Sequence, residues 1–153
     1  MHMSVSDRLK EAGLVLPVAP SALGAYVPAV RTGRLVFTAG QLPLVDGVLL
    51  ATGRVEGDVP ADLGRRCAER CALNALAAVS TVCDLDRVVR VVKVVGYVAS
   101  SPDFTAQPAV IDGASSVMAL AFGEAGRHSR EAVGVAGLPL AAPVEVSLVL
   151  EVG

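Results

Sequence analysis

Alternating apolar and polar positions predict several strands along this chain. Two short strands are expected at Ala25–Val30 and Arg34–Ala39, joined by the Thr32-Gly33 turn. A third is expected after the Asp46-Gly47 turn, at Val48–Leu50.

The segment Val88–Val98, VVRVVKVVGYV, predicts the central strand because it is apolar on both faces. Strict alternation places Val91, Lys93 and Tyr97 on one face and Val94 on the other. The last strand, Val144–Val152, alternates more cleanly, with one apolar row and one mixed row that contains Glu145. Both segments are predicted to lie inside one sheet.

Two substantial helices are predicted from apolar residues at intervals of three and four. The first covers Pro60–Cys83 and the second covers Asp112–Phe122. A short helix is expected near the start of the chain, with Ser6 as its cap and Gly13 as its end.

The element order of strands, helix, strand, helix and strands is typical of an α+β or α/β sheet with crossover connections. Two helices can cover one face of such a sheet, but the central strand is apolar on both faces. Self-association is therefore expected to cover the second face.

Composition narrows the class of protein. The 153 residues suit one domain, expected over residues 4–153, and Met1–Met3 resemble a cloning remnant. The net charge of −2 argues against nucleic acid, and no run is apolar enough to predict a membrane span. The apolar stretch before residue 20 is broken by Pro17 and Pro20, so no signal peptide is predicted and a cytoplasmic location is expected.

The three cysteines, Cys67, Cys71 and Cys83, are predicted to share one helix. An odd number on one helix does not predict a disulfide framework. The one histidine outside the remnant is His128, so convergent metal ligands are lacking. We expect reduced core cysteines and no metal.

Candidate chemistry is dispersed along the chain. Phosphate-binding glycine loops and nucleophile elbows are absent from the sequence. What remains is Tyr26, the strand end in VFTAGQLP, Arg130 at the start of an apolar strand, and Glu145 at the start of another. Considered alone, each of these residues is explained by an ordinary role in the fold, without any chemistry.

Taken together, these segments resemble a known family. GAYVPAVRTGRLVFTAGQLP and SREAVGVAGLPLAAPVEV resemble the YjgF family, also called RidA and endoribonuclease L-PSP. The positions in register with the family pattern are Gly33, Gly40, Gln41, Pro43, Arg130, Val133, Val135, Leu138, Pro139 and Glu145.

This resemblance implies an α+β fold of the chorismate-mutase-like type, a mixed sheet with two helices packed on one face. It also implies a homotrimer with ligand clefts between subunits. The implied activity is hydrolysis of reactive enamines and 2-imino acids to 2-oxo acids and ammonia, without a metal or organic cofactor. The implied ligand is therefore a small carboxylate.

The resemblance also implies roles for particular residues. Arg130 would hold the substrate carboxylate with its planar guanidinium, and Glu145 would orient the attacking water. Tyr26 would lie near the ligand, and backbone groups near Gly40 and Ala132 would complete the cleft.

Several positions depart from the family pattern. Ala39 replaces a serine, Glu131 a serine or threonine, and Ala132 a residue that is often cysteine. Asp112 stands where the family has an asparagine, and its charge would repel a carboxylate ligand unless it is protonated or paired. Arg127 or His128 is a candidate for that pairing cation.

Three hypotheses follow. The first is hydrolysis of imine-like C–N species, and the second is binding of a small metabolite without turnover. The third is an endoribonuclease or translation inhibitor, which the acidic chain disfavours because phosphate contacts need basic surfaces.

Overall fold

The computed structural model describes residues 3–19, 21 and 24–153. Most of the predicted remnant, Met1 and His2, lies outside these residues, as does Pro20 of the predicted loop. The elements in chain order are α1 Val5–Glu11, β1 Ala29–Thr32, β2 Leu35–Thr38, β3 Leu44–Val45, β4 Val48–Leu49, α2 Ala61–Val79, β5 Val88–Ala99, α3 Gln107–Phe122, β6 Ser129–Val135 and β7 Val144–Val152.

Five strands form one mixed sheet in the order β1-β2-β7-β5-β6. The β5–β6 pair is parallel, with α3 as the connection between the two strands, and the other pairs are antiparallel. Strands β3 and β4 form a separate two-stranded ribbon. The fold is therefore α+β, as the sequence predicted.

Helices α2 and α3 pack together and cover one face of the sheet. The covered face takes alternate residues of β7, all buried, from Val144 to Val152. Gly96 of β5 lies directly under α3, where a Cβ would overlap the Ile111 side chain. A Cβ on Gly113 would overlap the Arg65 carbonyl group, so this glycine lets α3 approach α2 closely.

The boundaries of several elements differ from the predictions, most clearly in α1, β1, α2 and α3. The cap of α1 is Ser4, whose side chain accepts from the Asp7 backbone N–H, and not Ser6. Strand β1 begins at Ala29 because the preceding residues form a bend. Helix α2 ends at Val79, so Cys83 lies beyond it, and α3 begins five residues before the predicted start, with a proline in its first turn.

The two faces of β5 were also predicted incorrectly. The register shifts between Val88 and Arg90 and again between Val91 and Lys93. Each irregularity changes the alternation of side chains. Val91 is therefore buried with Val94 on the helix-covered face, while Lys93 faces the other side.

The second face of the sheet has no covering element among the described residues. We call it the open face; it includes Val30, Phe37, Lys93, Val95, Tyr97, Glu131, Val133, Glu145, Ser147 and Val149. Phe37 is 43% exposed and Val133 is 45% exposed. None of the helices among the described residues is long and apolar enough to cross a membrane.

We expect the open face to be buried by self-association into a homotrimer, because apolar sheet faces of this kind are stabilised by exclusion of water. Light scattering should give three times the chain mass of 15.6 kDa. Val133→Asp should shift the mass towards that of one chain. Val18→Asp, at a valine that is 93% exposed and lies outside every strand, is the matched control. A parent protein with the mass of one chain at micromolar concentration would contradict the expectation.

Candidate functional site

Arg130 lies at the second position of β6, and its side chain points towards α3. Its Nη1 donates to Asp112 Oδ1 at 2.7 Å and to Ser115 Oγ at 3.2 Å. Asp112 and Ser115 are three residues apart on α3, so both meet the same edge of the sheet. The side chain of Arg130 is 24% exposed and that of Asp112 is 49% exposed.

The cation that neutralises Asp112 is Arg130, so the expectation that Arg127 or His128 would do so was wrong. Arg127 is largely exposed and pairs with Glu124 at 3.6 Å. The Nδ1 atom of His128 lies 2.9 Å from the Ser129 carbonyl oxygen. Both residues precede β6.

Glu145 lies at the second position of β7 and packs against Gly40. A Cβ on Gly40 would lie 2.7 Å from both Cδ and Oε2 of Glu145, so glycine here leaves room for the carboxyl group in its present position. The described hydrogen bonds include none to the Glu145 carboxylate. Burial raises the pKa of Glu145 above its ordinary value of 4.5.

The other two predicted site residues are Tyr26 and Ala132. Tyr26 is 51% exposed and lies in the bend before β1, with its ring against Gly24. Ala132 pairs with Gly96 on the same face of β6 as Arg130 and packs partly against the core. The methyl group of Ala132 offers no chemistry of its own, and only its backbone is suited to ligand contact.

The predicted site residues therefore form two groups on opposite faces of the sheet. Arg130 pairs with Val94 on the covered face, while Glu145 pairs with Tyr97 on the open face. Two strand spacings and three residue steps separate their Cα atoms, roughly 14 Å. One chain does not bring Arg130 and Glu145 to one ligand.

Two further polar residues were not predicted as candidates. Ser115 is the second partner of Arg130 Nη1, and its spacing from Asp112 was the available signal. Asn74 is fully buried and donates to the Leu42 and Leu44 carbonyl oxygens, while its Oδ1 has no partner among the described residues. It borders a cavity of about 650 Å³ that none of the predicted site residues lines.

The cysteines behave as core residues. Burial raises the pKa of Cys67 to about 11 and also raises that of Cys71, so both thiols stay protonated at neutral pH. In the described part of the chain, no three His, Cys, Asp or Glu side chains are placed to hold a metal ion. Cys67 and Cys71 remain on α2, whereas Cys83 follows it.

Comparison with known families identifies the fold. The profile described as "YjgF/chorismate_mutase-like, putative endoribonuclease" matches residues 6–152. The chain belongs to this YjgF family. The family resemblance of the Gly40 and Arg130 segments is thereby confirmed.

Individual relatives extend over nearly the whole chain. Protein TCP17 of Trypanosoma cruzi is 41% identical over 149 residues, which are 96% of this chain and 93% of the relative. The crystal structure of Atu1372 from Agrobacterium tumefaciens, of unknown function, has a TM-score of 0.89 and 44% identity over 97% of this chain and 93% of that one. The E. coli protein TdcF, crystallised with bound serine, has a TM-score of 0.63 and 25% identity over 88% of this chain and 94% of that one.

We expect the charge of Glu145 to lower the stability of the folded chain at neutral pH. The folded-state pKa is raised, so ionisation costs stability as pH rises from the ordinary value of 4.5 through the folded-state pKa. Glu145→Gln should therefore raise the melting temperature at about pH 8 and leave it unchanged at about pH 3.5, where the parent carboxyl is protonated in both states.

Thermal unfolding across this pH range measures the effect. Glu124→Gln, which changes a 90%-exposed carboxylate, is the matched control and should show no such pH-dependent gain. A stabilising effect of Glu145→Gln that was equal at both pH values would contradict the assigned cause.

Proposed function

We propose that this chain hydrolyses small 2-imino acids to 2-oxo acids and ammonia, at a site formed between two copies of the chain. The observation that carries the proposal is the placement of a partly buried guanidinium and a carboxyl group of raised pKa on opposite faces of one sheet. When the open face of one copy meets the edge strand of another, each copy can supply one of the two groups.

Arg130 has the geometry to hold a carboxylate. Asp112 and Ser115 engage Nη1, and no described residue accepts from Nε or Nη2. Those two nitrogens form a planar edge that suits bidentate binding of a carboxylate. The serine bound in TdcF supports a ligand of this size and class, because serine also carries a carboxylate beside a nitrogen.

Glu145 has the properties of a group that orients water. Its carboxylate has no described hydrogen-bond donor, and its raised pKa moves it towards the neutral range in which proton acceptance from water is effective. Water adds to the electrophilic imine carbon as its proton passes to Glu145. Addition to the protonated imine gives a carbinolamine, and Glu145 returns its proton to the nitrogen. The hydroxyl proton then passes to Glu145 as the C–N bond breaks, so the carbonyl forms and ammonia leaves.

Gly40 contributes to this arrangement by leaving room for the Glu145 carboxyl group. Its backbone and that of Ala132 offer polar groups without side chains that would obstruct a ligand. The chemistry requires no oxidant, and the imine carbon is already electrophilic.

Ammonia release from 2-aminoacrylate, generated in situ by a pyridoxal-phosphate dehydratase, tests the proposal. The parent protein should accelerate release over the uncatalysed rate. Arg130→Ala and Arg130→Lys should both lose most of the acceleration, because lysine cannot make the planar two-point contact. The loss should be roughly 2–5 kcal/mol, as for comparable buried charged pairs.

Arg127→Ala is the matched control, since it removes an equal charge three residues away that is 81% exposed. It should retain the parental rate. Equal rates for the parent and both Arg130 variants would contradict the assignment. A parent protein that binds 2-oxo acids through Arg130 without releasing ammonia would indicate a metabolite-binding protein instead.

A further inference from the structure

We propose that Asp112 is a specificity-determining residue. Its carboxylate accepts a hydrogen bond from a ligand nitrogen that carries N–H groups and lies next to the ligand carboxylate. The site would then select 2-iminio or 2-ammonio acids over carboxylates of the same shape that lack this nitrogen. The inference rests on the proposed function, because it takes Arg130 as the group that holds the carboxylate.

The Arg130 guanidinium has two parts with different partners. Nη1 is fixed by Asp112 at 2.7 Å and by Ser115 at 3.2 Å. The Nε and Nη2 edge has no acceptor among the described residues. A ligand carboxylate on that edge contacts the same planar group as Asp112 and therefore lies within a few ångströms of it.

The second oxygen of Asp112 is available as an acceptor. Oδ1 accepts from Arg130, while Oδ2 has no donor among the described residues, and the side chain is 49% exposed. An ionised carboxylate offers several acceptor positions, and one hydrogen bond leaves most of them open. Oδ2 is thus an acceptor beside the place where the ligand carboxylate is held.

The charge of the Arg130–Asp112 pair determines which ligands it favours. The pair is neutral as a whole, so a simple anion gains its contact with Arg130 against repulsion by Asp112. A zwitterion with a cationic nitrogen next to its carboxylate satisfies both partners. Specificity of this kind combines one attractive and one repulsive element.

The same arrangement favours release of product. Hydrolysis exchanges the imine nitrogen for a carbonyl oxygen, and the nitrogen departs as ammonia. The 2-oxo acid that remains has no N–H donor for Asp112 and carries an unbalanced negative charge beside it. Asp112 therefore discriminates between the substrate and the product of one reaction.

L-alanine and L-lactate are the probes, because they differ only by an ammonium group in place of a hydroxyl group. Calorimetry on the assembled parent protein should show L-alanine binding on the order of tenfold tighter, the factor that a hydrogen bond to a charged group is worth. Asp112→Asn should bring the two affinities close together by weakening alanine and strengthening lactate. Glu124→Gln, a distant exposed carboxylate, should keep the parental ratio.

The parental ratio tests the inference without any variant, so misfolding of Asp112→Asn would not decide it. Equal or tighter binding of lactate by the parent, or an unchanged ratio in a folded Asp112→Asn variant, would overturn the inference while leaving ammonia release intact. Failure of the parent to bind either acid would overturn the carboxylate site itself and this inference with it.

Discussion

Successive side chains of a strand point to opposite faces of its sheet. This constraint determines which functional groups one copy of the chain can bring to one ligand. On β6 it directs Arg130 to the helix-covered face, where the guanidinium donates to Asp112 and Ser115. On β7 it directs Glu145 to the open face, against Gly40. Because the intervening β5 pairs with both strands in a fixed register, neither side chain can change faces without moving a whole strand.

Close packing at two glycines sets the position of α3 relative to the sheet and to α2. Gly96 lets α3 lie on the sheet, Gly113 lets α3 lie on α2, and both contacts exclude a methyl group. The position of α3 in turn fixes how far Asp112 and Ser115 stand from β6. The length and direction of the Arg130–Asp112 pair thus depend on backbone packing at neighbouring glycines as well as on the two charges, as expected for a densely packed interior.

Much of the fold could be predicted from the sequence, because burial on one face leaves a clear pattern. The alternation of β7 predicted its buried row, which the structure confirms. The faces of β5 could not be predicted, since the two irregularities in register depend on its partner strand. The partner of Asp112 was also missed, because only the packing of α3 on β6 shows that Arg130 lies nearer than Arg127.

Mixing two variants tests most directly whether Arg130 and Glu145 of neighbouring copies form one site. Arg130→Ala and Glu145→Gln should each be inactive in ammonia release when alone. After dissociation and joint reassembly in equal amounts, roughly a quarter of the sites should combine an intact arginine from one copy with an intact glutamate from the next, and a matching share of parental activity should return. A mixture that stayed inactive, although mass analysis showed mixed assemblies, would contradict the account.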